Sequence, residues 1–233
     1  MATDPYWQLE KEYTTIAATH DLTIKAIAYD NISRTENDKT IVELAPCKVH
    51  EFRVKRDILT AASPVLRKLL TAAFRETEQT AVELHYDPAK ALQVWFQILH
   101  VEDGTTADVK FEGLAELGLQ EVWEVLSTAH KYELDPRDAR AKAWFEKWYA
   151  SQANKDGRRF GYLDFQALIF PCHAFDYATG FTYATKQLVY RSNGHITERQ
   201  PPGFKQQDHL HLSGNIIRML HLPFLACDLC KPS

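Results

Sequence analysis

Three dipeptides that join a capping residue to proline, Ser63-Pro64, Asp87-Pro88 and Asp135-Pro136, set the frame of this chain. Proline at the first helical position loses nothing, because its missing N–H would have had no intrahelical partner. The Ser or Asp before it can accept from the unpaired amides of the first turn. Each pair therefore reads as a helix start. After the first, Val65, Leu66, Leu69, Leu70, Ala73 and Phe74 recur at three- to four-residue spacing, the pattern of one buried face. Leu92, Trp95, Phe96 and Leu99 follow the second pair, and Ala143, Trp144 and Trp148 the third. Between those two helices, after a polar loop over residues 102–108, Val122, Val125, Leu126, Ala129 and Tyr132 mark another amphipathic helix.

Strand signals surround the first helix. Residues 40–45 and 51–54 read as two strands joined by a turn at residues 46–49, a hairpin. Ala81, Val82 and Leu84 form a third short strand. Upstream, Tyr6, Trp7, Leu9 and Tyr13 are compatible with a short helix, residues 23–29 have β-branched strand content, and polar residues 31–39 read as a loop. Strands followed by a run of helices favour an α+β fold over a parallel α/β sheet. Beyond the polar link at residues 151–159, residues 163–177 are densely apolar and aromatic, and residues 183–190 suit a helix packed on them. A Pro-Pro-Gly loop at residues 200–208 precedes a short amphipathic segment at 212–222.

Composition narrows the function classes. A chain of 233 residues with 45% hydrophobic content can bury a core, and a formal net charge of -4 with scattered Lys and Arg argues against a nucleic-acid footprint. No stretch approaches the roughly 20 apolar residues of a membrane helix, and residues 1–11 lack the apolar run of a signal peptide. Four unevenly spread cysteines, Cys47, Cys172, Cys227 and Cys230, make a disulfide framework a poor reading and a reducing compartment the better one.

Several motifs invite chemistry and fall short of it. Cys227 and Cys230 form a C-x-x-C near His209, His211 and His221, but zinc modules pair two such motifs at regular spacing; no metal site is expected. Cys172 and His173 are adjacent, and neighbouring side chains diverge on a helix or strand, so they read as a packed thiol beside a partly exposed imidazole. His195 and Glu198 lack an H-E-x-x-H context, and no glycine-rich phosphate loop or G-x-S-x-G elbow is present. Trp95, Trp123, Trp144 and Trp148 read as core.

The run Phe52-Arg53-Val54-Lys55-Arg56-Asp57-Ile58-Leu59, followed by Ala62-Ser63-Pro64-Val65-Leu66-Arg67-Lys68-Leu69-Leu70, resembles the core signature of the BTB/POZ domain. In that family a strand reading F-x-V-H/S-x-x-x-L leads into S-P-V-F and a helix. Phe74-Arg75-Glu76, the strand at 81–84 and Ala129-His130-Lys131-Tyr132 follow in the family's order. Residues 168–175, 180–181, 185–190 and 194–198 resemble the extension of filamentous-fungal BTB proteins. Departures are Lys55 for the family's histidine, Leu66 for its phenylalanine, and no Gly-Asp before Thr40; Asp21-Leu22-Thr23 is an alternative opening, with residues 30–39 as an insertion.

The resemblance implies an α+β, BTB/POZ-like fold: a small three-stranded sheet with a cluster of α-helices, plus a mainly helical C-terminal extension. The expected division is an N-terminal extension at 1–39, the BTB/POZ domain at 40–150, the helical extension at 151–223 and a disordered tail at 224–233. It implies a protein–protein interaction module, not an enzyme, that pairs with itself or other BTB proteins and acts as a substrate adaptor for a cullin-based ubiquitin ligase. Phe74 and Glu76 would be its protein-binding residues, since cullin-binding members carry a hydrophobic-x-Glu step just after this helix; from the residues alone the step reads as a helix end. The alternative is a structural oligomerisation domain in a nuclear or transcriptional complex without cullin contact. No cofactor, metal, nucleic acid, membrane or small-molecule substrate is expected, and the location is cytoplasmic or nuclear.

Overall fold

The computed structural model describes residues 6, 8–36, 39–73, 80–101, 111, 113–154, 160–191, 196–205 and 207–220. The chain divides into two compact units: residues 1–101 with 130–134, and residues 102–129 with 135–233. The fold is mixed α+β, with one four-stranded sheet among the described residues.

In the first unit, β1 (Glu10–Thr15), β2 (Leu22–Glu36) and β3 (Lys39–Val54) precede α1 (Arg56–Ala62) and α2 (Pro64–Ala73), then β4 (Ala81–His85) and α3 (Ala89–Leu99). The sheet order is β1-β3-β2-β4. β2 and β3 are antiparallel, whereas β1 runs parallel to β3 and β4 parallel to β2. The expected three strands are thus four, and residues 1–39 supply two of them. Residues 10–15 form a strand where a helix was compatible with the sequence. Tyr13, Thr14 and Thr15 have strand propensity, and Lys48 on β3 sits 2.5 Å from Glu12 and 3.5 Å from Glu10.

The hairpin also differs from the expected one. Residues 39–54 are one strand, and the turn lies between β2 and β3, so residues 31–36 are strand and not loop. Pro46 is tolerated because β1 pairs with β3 only from Lys48 to Arg53, which leaves the proline on an unpaired edge where no N–H is needed. The register shifts there: Ala28 faces Lys48 and Tyr29 faces Pro46, with Cys47 as the extra residue.

The core of this unit is built by Leu22, Ile24, Ile27, Val49, Phe52 and Val54 from the sheet and by α3, whose Ala91, Leu92, Val94, Trp95, Phe96, Ile98 and Leu99 are all buried. Phe52 meets Phe96 edge-to-face with ring centroids 5.3 Å apart. β4 alternates as an edge strand should, with Val82 and Leu84 inward.

In the second unit, α4 (Leu119–Tyr132, its last turn counted with the first unit), α5 (Ala139–Asn154), α6 (Tyr162–Ala174) and α7 (Ala178–Arg191) carry the core, and residues 214–220 are helical. Trp123, Trp144 and Trp148 are each at most 1% exposed. Pro171 lies inside α6, where it can offer no N–H to the carbonyl of Ala167 four residues earlier. The Trp123 indole N–H donates to that carbonyl at 2.9 Å. The helix tolerates its proline because α4 supplies the missing donor.

α6 ends with Asp176 in the left-handed region (φ 52), the Tyr177 N–H donating to the Cys172 carbonyl at 2.8 Å and the Asp176 N–H to His173 at 3.1 Å. This is a Schellman closure with aspartate in the place glycine usually takes. It sets the position of Tyr177.

Candidate protein-binding site

The three capping dipeptides have three different fates. Ser63 is a true N-cap: its Oγ accepts from the Leu66 N–H at 3.0 Å, and its carbonyl accepts from the Arg67 N–H at 2.9 Å. The hydroxyl also donates to the carbonyl of Tyr132 at 2.5 Å. Being fully buried and bonded on both sides, Ser63 fixes where α2 starts. Leu66 and Leu70 face inward at 2% and 1% exposure, while Leu69, expected on the same face, is only partly buried.

Asp87 does not cap α3, which starts from Pro88 without a side-chain cap. Its carboxylate is taken by the Lys131 ammonium at 2.6 Å and the Tyr132 hydroxyl at 2.9 Å. Burial first, and Asp87 next to it, push the Tyr132 hydroxyl's pKa well up, so it stays a donor. Nor does Asp135 cap α5. It accepts from the Arg137 N–H at 2.9 Å within the preceding turn, and Asp138 instead accepts from the Arg140 N–H at 2.8 Å at the helix start. The Arg140 side chain, together with that amide, holds the Asp138 carboxyl below its usual range despite partial burial.

Phe74 and Glu76 lie outside the described residues. What is described is their frame, α2 ending at Ala73 and β4 beginning at Ala81. Behind that frame, Phe52, Val54 and Leu59 are fully buried. The strand-to-helix step is closed by His100, whose Nε2 accepts from the Lys55 N–H at 3.0 Å while Nδ1 donates to the Phe96 carbonyl at 2.8 Å. This pairing requires the neutral ring, and burial lowers its pKa below the ordinary 6.5.

That lowering has a sign. As pH falls, the unfolded chain takes up the proton before the folded one, so the stabilisation is complete above about pH 7 and is lost on acidification. Burial lowers His50 and His173 likewise, although Glu12 beside His50 opposes the shift there. Unfolding free energy is therefore expected to fall as pH drops below about 7. The ring signals of His100 should titrate with a midpoint below 6.5, followed by nuclear magnetic resonance. A midpoint at or above that value would reject the bonded neutral ring.

Among the described residues, the remaining sequence candidates do not converge. Cys172 is buried and its thiol pKa is pushed well up by burial, which keeps it protonated and unreactive. Glu198 accepts from the Leu212 N–H at 2.8 Å, and His195 lies outside the described residues. Cys227, Cys230, His221 and the tail at 224–233 also lie outside them. Among the described residues no group of three or more His, Cys, Asp or Glu is arranged to hold a metal, and no helix is long and apolar enough to cross a membrane. Sequence reading missed the Asp87–Lys131–Tyr132 cluster. A buried acid signals its need for a partner, but those partners lie 44 and 45 residues away. Compared with protein-family models and with curated proteins, the chain matches none.

Proposed function

We propose that this chain is a protein–protein interaction module of the BTB/POZ kind, working in the cytoplasm or nucleus, and that it serves as a substrate adaptor for a cullin-based ubiquitin ligase. The observation that carries the reading is the burial of the motif residues in their motif order. Phe52 and Val54 end a strand, Leu59 lies in the helix after it, and Ser63 caps a second helix whose Leu66 faces inward; all five are at most 2% exposed. A strand opening at Leu22, with Asp21 accepting from the Arg56 N–H at 2.8 Å, supports Asp21-Leu22-Thr23 as the family's first-strand opening.

On this reading Phe74 fills an apolar pocket on the cullin and Glu76 makes a polar contact at its rim. The double change Phe74→Ala with Glu76→Ala is expected to weaken cullin capture by about thirtyfold, roughly 2 kcal/mol, while self-association persists. Glu76→Lys alone reverses the rim charge without opening a core cavity and should also weaken capture. Equal binding by wild type and Glu76→Lys, or none by wild type, would sink the adaptor role and leave the oligomerisation scaffold as the function.

A further inference from the structure

The second unit contains a half-open cleft of about 500 Å³ among α5, α6 and α7, a size ordinary for small-molecule sites. Its walls are Tyr177, Tyr149, Phe160, Phe165 and Tyr183. These rings meet in that order, with centroids 5.3, 5.3, 6.0 and 5.7 Å apart and interplanar angles between 42° and 69°. Rings set at such angles present faces and edges to the space between them and do not stack to fill it.

Two devices hold it open. The Schellman closure of α6 sets Tyr177 against the first turn of α7. Gly180 makes room there, for a Cβ at that position would come within 2.4 Å of the Tyr177 ring and 3.0 Å of the Cys172 sulfur.

Two polar features mark its chemistry. The Tyr149 hydroxyl is buried and has no hydrogen-bond partner, a condition that ordinarily costs about 1–3 kcal/mol. Beside one wall of the cleft, the exposed Arg191 guanidinium stands 5.7 Å from the centre of the Phe165 ring. That cation disfavours a second positive charge and attracts a negative one.

We propose that this cleft binds a small planar aromatic carboxylic acid, its rings between the aromatic walls, its carboxylate at Arg191, and a polar atom paired with Tyr149. The site is independent of any contact made by Phe74 and Glu76.

The test titrates the full chain with 2-naphthoate, alongside the neutral 2-naphthalenemethanol and a 2-naphthylmethyl-trimethylammonium salt, by calorimetry and by aromatic-ring nuclear magnetic resonance. Saturable binding of the naphthoate with a Kd on the order of 0.1 mM is expected, with shifts at the Phe165 and Tyr183 rings. Thr179→Trp, an exposed position on the cleft, should weaken it at least about tenfold. Arg191→Gln should weaken the naphthoate about fivefold and leave the alcohol unchanged. If Thr179→Trp lowers the melting temperature, Tyr183→Ala, at a residue 45% exposed, takes its place with the same expectation. Absence of saturable binding, undiminished binding in the cleft variant, or tighter binding of the ammonium salt than of the naphthoate would each overturn the proposal.

Discussion

Leu66→Asp is expected to leave the sheet-bearing unit unfolded. Leu66 is 2% exposed on the inward face of α2, one turn from the buried Ser63 cap and next to Leu70 on that face. Removing a buried leucine side chain costs about 2–5 kcal/mol by itself. The aspartate adds a carboxylate with no partner on that face, which must be protonated or drawn into water, at several kcal/mol more. Against a domain's usual margin of about 5–15 kcal/mol the sum removes most or all of the stability. Leu69→Asp, at a partly buried position, should cost clearly less, and Lys68→Glu on the exposed face about 0.5 kcal/mol or less. Thermal melts followed by circular dichroism rank the three. An unchanged melting temperature for Leu66→Asp would mean that α2 buries a different face.

Trp123→Phe should cost about 2–4 kcal/mol in the helical unit, and Pro171 should set much of that cost. The indole is fully buried, with ring centroids 5.1 Å from Phe170 and 5.6 Å from Phe204, so the smaller ring leaves a void. It also removes the N–H donated to Ala167, whose carbonyl has no helical donor because residue 171 is proline. Pro171→Ala provides an N–H in the helical position for that carbonyl. In its background Trp123→Phe should cost about 1 kcal/mol less, a coupling that a double-mutant cycle in denaturant isolates. Additive effects would show that the indole contributes packing alone.

The elements that were legible in sequence depend on chemistry within a few residues. Ser63 caps α2 because its acceptor and the Leu66 amide are neighbours on one turn, and the burial of Leu92, Trp95, Phe96 and Leu99 on α3 and of Val122, Val125, Leu126, Ala129 and Tyr132 on α4 follows from helical spacing, whereas that of Ala91, Val94 and Ile98 does not. Val82 and Leu84 follow from strand alternation in the same way. An α+β fold was therefore readable, and so was the core role of the tryptophans.

Tertiary structure decided the rest wherever a residue's partner lies far along the chain. Asp87 has the same local signature as Ser63, yet Lys131 and Tyr132 take its carboxylate, because a buried acid is satisfied better by an ammonium and a hydroxyl than by one amide. Pro46 reads as a turn until the length of β1 is known, since only an unpaired edge tolerates a missing N–H. Pro171 is accommodated inside α6 by Trp123, whose indole donates to the Ala167 carbonyl from 44 residues away in sequence. The aromatic cleft has no local signature at all. Its five rings are Tyr149 of α5, Phe165 of α6, Tyr183 of α7, and Phe160 and Tyr177 from the links before α6 and α7, and their angles arise from packing, which no spacing rule along one element encodes.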